Sequence, residues 1–164
     1  MIEQQQNLEN IVAGRWPEQW FLTPQVNEEY DRVRRISKTH VVKLPRNYLS
    51  LGILYKEFKI QELAYLAGLS VPKPEGIFEV KIRDRIFAKK RKGVVMEYVP
   101  GILLEDLKGT DIFFKAKNQR DMELEKAEML GFTHFDAICY LNSIWNPEKQ
   151  RIYLIDFESW GFRK

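Results

Sequence analysis

Residues Thr133 to Glu158 read THFDAICYLNSIWNPEKQRIYLIDFE, and the fold turns on how this stretch is read. Ser143-Ile144-Trp145 and Arg151-Ile152-Tyr153-Leu154-Ile155 are rich in β-branched and aromatic residues, and Asn146-Pro147-Glu148-Lys149 between them has turn chemistry. Strand, turn, strand is the predicted order. Such a hairpin returns the chain on itself and carries Asp156, at the end of its second arm, toward the loop that holds Asp136 and Asn142. Two carboxylates and an amide at the mouth of a hairpin suit a hard divalent ion and a proton acceptor, because magnesium takes oxygen ligands and shares them with substrate phosphates.

Composition limits what surrounds this stretch. At 164 residues, with 45% hydrophobic and 30% charged, the chain is expected to be soluble: one domain, or two small lobes around a cleft. No apolar run is long enough to span a bilayer and the opening MIEQQQNLEN lacks a signal-peptide core, so a cytoplasmic protein with no membrane partner is expected. A single cysteine, Cys139, excludes an internal disulfide framework, and two histidines argue against a histidine-based metal site. The net charge of +3 is unevenly spread, with basic clusters at Arg32–Arg35 and Lys81–Lys92. Such clusters attract nucleic acid or acidic partners, although a strand edge protected by charge is their commoner meaning.

Upstream, Ile11, Val12, Trp16, Trp20 and Phe21 suggest a short amphipathic segment broken at Pro17. Trp20-Phe21-Leu22, Tyr30–Ile36 and Thr39–Leu44 are strand-like, the last presenting Lys43 beside a valine pair. The spacing predicts a helix over Leu54–Leu66 with Leu54, Phe58, Leu63 and Leu66 near one face, stopped by Gly68 and by Ser70-Val71-Pro72-Lys73-Pro74. It carries two candidate partners for a lysine, Glu57 and Glu62. Gly76–Ile82 and Arg85–Lys89 read as a basic hairpin about Arg83-Asp84, and Gly93–Val99 as an apolar strand ended by Pro100-Gly101. Leu103–Lys108 reads as a helical turn, and Asn118–Leu130 as a helix capped by Asn118 and stopped at Gly131.

His134-Phe135-Asp136, then Asn142, then Ile155-Asp156-Phe157-Glu158 resemble the catalytic loop and metal-binding segment of the protein-kinase-like superfamily. The IDFE form is similar to the choline and aminoglycoside phosphotransferases, and the short chain to the small atypical kinases of the RIO type and of the KEOPS complex. Strand lysine, helix glutamate, hinge, helix, His-x-Asp, Asn, hairpin and Asp-Phe follow one another in the superfamily's order. The resemblance implies an α+β, two-lobed kinase-like fold: a twisted antiparallel N-lobe sheet with one helix, and a truncated, mostly helical C-lobe. Residues 1–19 would be an extension, 20–98 the N-lobe and 99–164 the C-lobe. It further implies ATP and Mg2+ as cofactors. Lys43 would contact the α- and β-phosphates, braced by Glu57, which the match to the small-molecule kinases favours over Glu62. Met96 would sit behind the adenine, with the Glu97 carbonyl and Val99 N–H reading its edge. Asn142 and Asp156 would hold the metal, and Asp136 would act on the acceptor hydroxyl.

Three departures stand beside the match. The segment that should cover the phosphates, Thr23–Tyr30 (TPQVNEEY), holds no glycine to let backbone approach them. Asp136 and Asn142 are separated by five residues, one more than in the protein-kinase pattern. Glu158 replaces the glycine after Asp156-Phe157, and the chain closes six residues later. No activation-loop switch is therefore expected, and a protein partner is expected to supply the missing C-lobe surface. The favoured function is a minimal ATP-dependent phosphotransferase acting on a hydroxyl of a protein or small molecule. The alternative is a pseudokinase that binds nucleotide as a scaffold or regulator. A third reading is a nucleic-acid-binding module built on the basic hairpin at 81–92.

Overall fold

A computed structural model describes residues 12–13, 33–45, 51–84, 87–134 and 139–163, with the backbone alone described at 12–13, 81–84 and 87–90. Trp20–Leu22, the glycine-free segment Thr23–Tyr30 and Asp136 lie outside the described residues.

The first half builds a five-stranded sheet from β1 (Val12–Ala13), β2 (Val33–Arg35), β3 (His40–Lys43), β4 (Pro74–Asp84) and β5 (Phe87–Glu97), in the spatial order β1-β4-β5-β3-β2. The short β1 runs parallel to β4, and the other ladders are antiparallel. Where the sequence suggested a basic hairpin followed by a separate apolar strand, β5 runs unbroken from Phe87 into Val94-Val95-Met96-Glu97. Gly93 makes the join. A Cβ there would strike Val42 and the Lys43 carbonyl, so only glycine lets β5 lie this close to β3. Val42, Leu44, Val80 and Val95 form the apolar cluster on one face of the sheet.

Helix α1 spans Leu51–Leu66 and buries Leu54, Glu57, Ile60, Gln61 and Ala64. This corrects the expected apolar face: Leu63 is 43% and Leu66 75% exposed. The hydrophobic pattern misleads because the buried stripe includes two polar side chains with buried partners. One is Glu57, and the other is Gln61, whose Nε2 donates to the Pro72 carbonyl at 2.8 Å.

The second half contains β6 (Ile102–Leu103), a 3-10 turn at Leu104–Leu107, α2 (Asp111–Met129), β7 (Phe132–His134), a 3-10 turn at Tyr140–Asn142, β8 (Ser143–Asn146), β9 (Arg151–Leu154) and β10 (Trp160–Phe162). The predicted hairpin of the opening stretch is β8–β9, with Ser143 opposite Leu154 and β6 added to its far edge. α2 begins at Asp111, earlier than the expected Asn118, which is exposed in mid-helix. The start follows Gly109 at φ +83° and Thr110 in an extended conformation, a break that lets the chain enter the helix early. Short β7 and β10 pair antiparallel, so one α-helix and five short strands are described here rather than a mostly helical unit.

The largest core cluster joins the two halves. Ile60 and Ala64 of α1, Leu69 and Val71 beyond it, Leu124 and Ala127 of α2, and Phe132, Leu154, Phe157 and Trp160 pack together. Ser70, 1% exposed, bonds across the same seam. Its N–H donates to Glu123 on α2 at 2.9 Å and its carbonyl accepts from Leu154 N–H at 2.8 Å. Its hydroxyl donates to the Ile152 carbonyl and accepts from Arg151 Nε at 2.8 Å. The exit of α1 is thereby tied along β9, which leads directly to Asp156.

Candidate functional site

Three elements deliver one charged group each to a single point. β3 contributes Lys43, α1 contributes Glu57, and the turn after β9 contributes Asp156, whose φ of +63° is uncommon for a residue other than glycine. The Lys43 ammonium donates to Glu57 Oε1 and, at 2.7 Å, to Asp156 Oδ1. Glu57 Oε1 also accepts the Phe157 N–H at 3.3 Å. Phe157 itself is 1% exposed, with its ring centroid 4.8 Å from that of Trp160. Asp156 is thus held between a β-hairpin on one side and a buried aromatic anchor on the other, which fixes its backbone where the ammonium can reach it.

Lys43 and Glu57 are 7% and 2% exposed. Burial pulls the Lys43 pKa down, but the Glu57 and Asp156 carboxylates outweigh it and leave the ammonium above its ordinary range. Burial pushes Glu57 up, Lys43 opposes that, and the nearby Asp156 and Glu158 charges add to it. Carboxylate oxygens of Glu57, Asp156 and Glu158 lie within 4.8 Å of one another, and Glu57 Oε2 is buried with no hydrogen-bond partner. Of the two helix glutamates, the one that pairs with Lys43 is therefore Glu57. Glu62 lies elsewhere on α1 and pairs with Lys59 at 2.8 Å.

The remaining expected residues fall as follows. Asn142 closes the 3-10 turn before β8, and its carbonyl accepts the Ile155 N–H at 3.0 Å, which sets it beside the residue preceding Asp156. Met96 is half-buried, its sulfur 3.6 Å from Gln61 Nε2. The Glu97 carboxylate accepts the Lys73 N–H at 3.3 Å and lies 3.6 Å from Lys149 Nζ, while its own N–H donates to the Lys73 carbonyl at 2.8 Å. Val99 is buried among Leu103, Ile144 and Tyr153. His134 lies against Trp160, their ring centroids 5.2 Å apart and the rings tilted, with Nε2 3.2 Å from a Glu128 oxygen.

Sequence reasoning overlooked Gln61, Ser70 and the site role of Glu158. Glu158 had a signal, since it flanks a buried Phe157 together with Asp156, two residues apart, and stands where the pattern has glycine. Gln61 and Ser70 gave none, because each is an ordinary polar residue whose importance comes from a partner far along the chain.

No family model matches the chain, and no curated protein matches it. Among solved structures, a crystal structure of WbdD superposes with a TM-score of 0.55 and 24% identity, covering 84% of this chain and 32% of that one. A structure of the bifunctional kinase-methyltransferase WbdD superposes with a TM-score of 0.58 and 21% identity, covering 93% of this chain and 35% of that one. The chain thus spans 32–35% of the length of these neighbours. Among the described residues no helix is long and apolar enough to cross a membrane. The sheet, the two helices and the neighbours together give the chain an α+β fold like that found in a bifunctional kinase-methyltransferase.

Proposed function

We propose that the chain is a kinase-like phosphotransferase that uses ATP and a divalent metal. The observation that carries the reading is the Lys43 ammonium shared between Glu57 of a helix and Asp156 at the end of a hairpin. In kinases a strand lysine is oriented by a helix glutamate, and a separate aspartate holds the metal on the phosphates. Of the two activities in the neighbour's description, methyl transfer gives no reason for this pairing, whereas phosphoryl transfer does.

In this reading Lys43 turns its ammonium toward the α- and β-phosphates while Glu57 keeps it from sampling other directions. Met96, the Glu97 carbonyl and the Val99 N–H line the adenine edge. Asp156 and Asn142 would hold the metal, and the carboxylates of Glu57, Asp156 and Glu158, with Glu57 Oε2 buried and unpaired, have the donor chemistry magnesium prefers. A metal bound there supplies screening of phosphate charge. Asp136 orients the acceptor hydroxyl and takes its proton. Catalysis is then positioning and charge neutralisation, with no covalent enzyme intermediate.

ATP-dependent labelling of candidate acceptors tests this: the wild type is expected to transfer label, and Asp156→Asn and Asp136→Asn to lose it. Equal turnover in wild type and both variants overturns the reading. The glycine-free Thr23–Tyr30 segment favours a second reading, a pseudokinase that binds nucleotide as a scaffold. Magnesium-dependent thermal stabilisation by ATP, with no transfer and no hydrolysis, would select it.

A further inference from the structure

We propose that Arg120, with Lys117, forms an oxyanion-binding subsite beside the 3-10 turn Tyr140–Asn142, so that the hydroxyl acceptor itself carries a phosphate or a carboxylate. The second half of that statement rests on the phosphotransferase reading; the subsite does not.

Arg120 lies on α2 and is 4% exposed. A guanidinium stays charged at any pH the fold survives and carries five N–H donors. One nitrogen, Nη1, donates to Asp121 Oδ1 at 2.9 Å. Nε and Nη2 are buried with no hydrogen-bond partner. The face of the group lies over the Tyr140 ring, 5.0 Å from its centroid, which partly offsets the charge but supplies no acceptor to the in-plane N–H groups. Buried donors of a charged group left without acceptors are costly, and a site that keeps them is built for something that supplies the acceptors.

The neighbouring charges specify the sign. Asp121 is shared: its second oxygen accepts from Lys117 Nζ at 2.5 Å. Two cations against one carboxylate leave one positive charge in excess. Lys108, 5.0 Å from the same Tyr140 ring, is balanced by Glu105 at 2.6 Å. An oxyanion would accept from Nε and Nη2 as a planar fork, the bidentate geometry in which arginine holds carboxylate and phosphate. Location ties the subsite to the chemistry. Tyr140 opens the short turn that ends at Asn142, whose carbonyl is bonded to Ile155, the residue before Asp156. An anion on Arg120 would therefore sit against Tyr140, in the turn that ends at Asn142.

The experiment is a thermal-shift titration of the full chain with inorganic phosphate, ionic strength held constant with chloride. Wild type is expected to gain Tm with phosphate. Arg120→Met should weaken the apparent affinity about tenfold or more, and Lys117→Gln by a smaller factor. Arg120→Lys, which keeps the charge but loses the fork, should fall between Arg120→Met and wild type. The last two variants keep the test decisive should Arg120→Met fail to fold. The response should persist in Lys43→Met, because the anion is not in the nucleotide site. A wild type with no phosphate-specific shift, an unchanged response in both Lys117→Gln and Arg120→Lys, or loss of the response in Lys43→Met overturns the subsite. Repeating the titration with a sugar phosphate, a sugar acid and the neutral sugar separates the two anion sources, and a shift with the neutral sugar equal to both anions also overturns it. Failure of ATP to bind or transfer would sink the phosphotransferase reading while leaving the phosphate titration intact.

Discussion

Lys43 on β3 and Lys92 in the outer β4–β5 hairpin are both strand lysines, yet the fold treats them in opposite ways. Lys43 is buried between carboxylates from two other elements. In the hairpin, register sets Glu79 opposite Lys92, and Lys92 is exposed. β3 pairs with β5 only over Val94–Glu97, which leaves Phe87–Gly93 without that neighbour. The difference teaches that a lysine on an alternating strand becomes a site only where a second element brings it a buried counter-charge. Strand pattern says nothing about that element.

The sharpest way to break this contrast is to remove a partner at the buried end. Lys43→Met or Asp156→Asn should lower phosphotransfer by about a hundred- to a thousandfold, measured as kcat/KM. A loss of the same size in Lys92→Gln would erase the distinction. Next in size, Glu57→Gln should destabilise the fold by about 1–3 kcal/mol in a urea titration, because the buried ammonium loses its buried counter-ion and keeps only the part-exposed Asp156. Smaller again is an alkaline effect. The folded-state pKa of Lys43 is raised above 10.5, so its stabilising share is fully present below that value and is lost as pH rises through the folded one. Wild type should therefore lose more stability than Lys43→Met above pH 10.5, and parallel curves would contradict the pairing. Smallest is Lys92→Gln itself, expected to move stability by no more than about 0.5 kcal/mol.

How far the sequence could be read follows from the range of each interaction. The β8–β9 hairpin was legible because its turn chemistry and its two apolar arms lie within a dozen or so residues, as local strand signals do. Lys43, Glu57 and Asp156 were legible as an ordered set only through likeness to a known pattern; nothing local ties residue 43 to residue 156. The α1 face was misread because Glu57 and Gln61 occupy core positions that periodicity assigns to apolar residues. The start of α2 was misread because Gly109-Thr110 is a weaker signal than the polar Asn118. Arg120 was invisible, since a helix arginine is usually solvated and only the tertiary fold places Tyr140 over it.

Ser70 links the two ends of the charge pair without touching either. From Glu57 the path runs down α1 to Ser70, through its bonds to Ile152 and Leu154, along β9 to Asp156, and through the ammonium of Lys43 back to Glu57. That path is a closed ring in which covalent chain and hydrogen bonds alternate. A ring of this kind has no loose end, so helix and hairpin share one tolerance, and the gap in which Lys43 sits is gauged in part by a hydroxyl on the far side of the core.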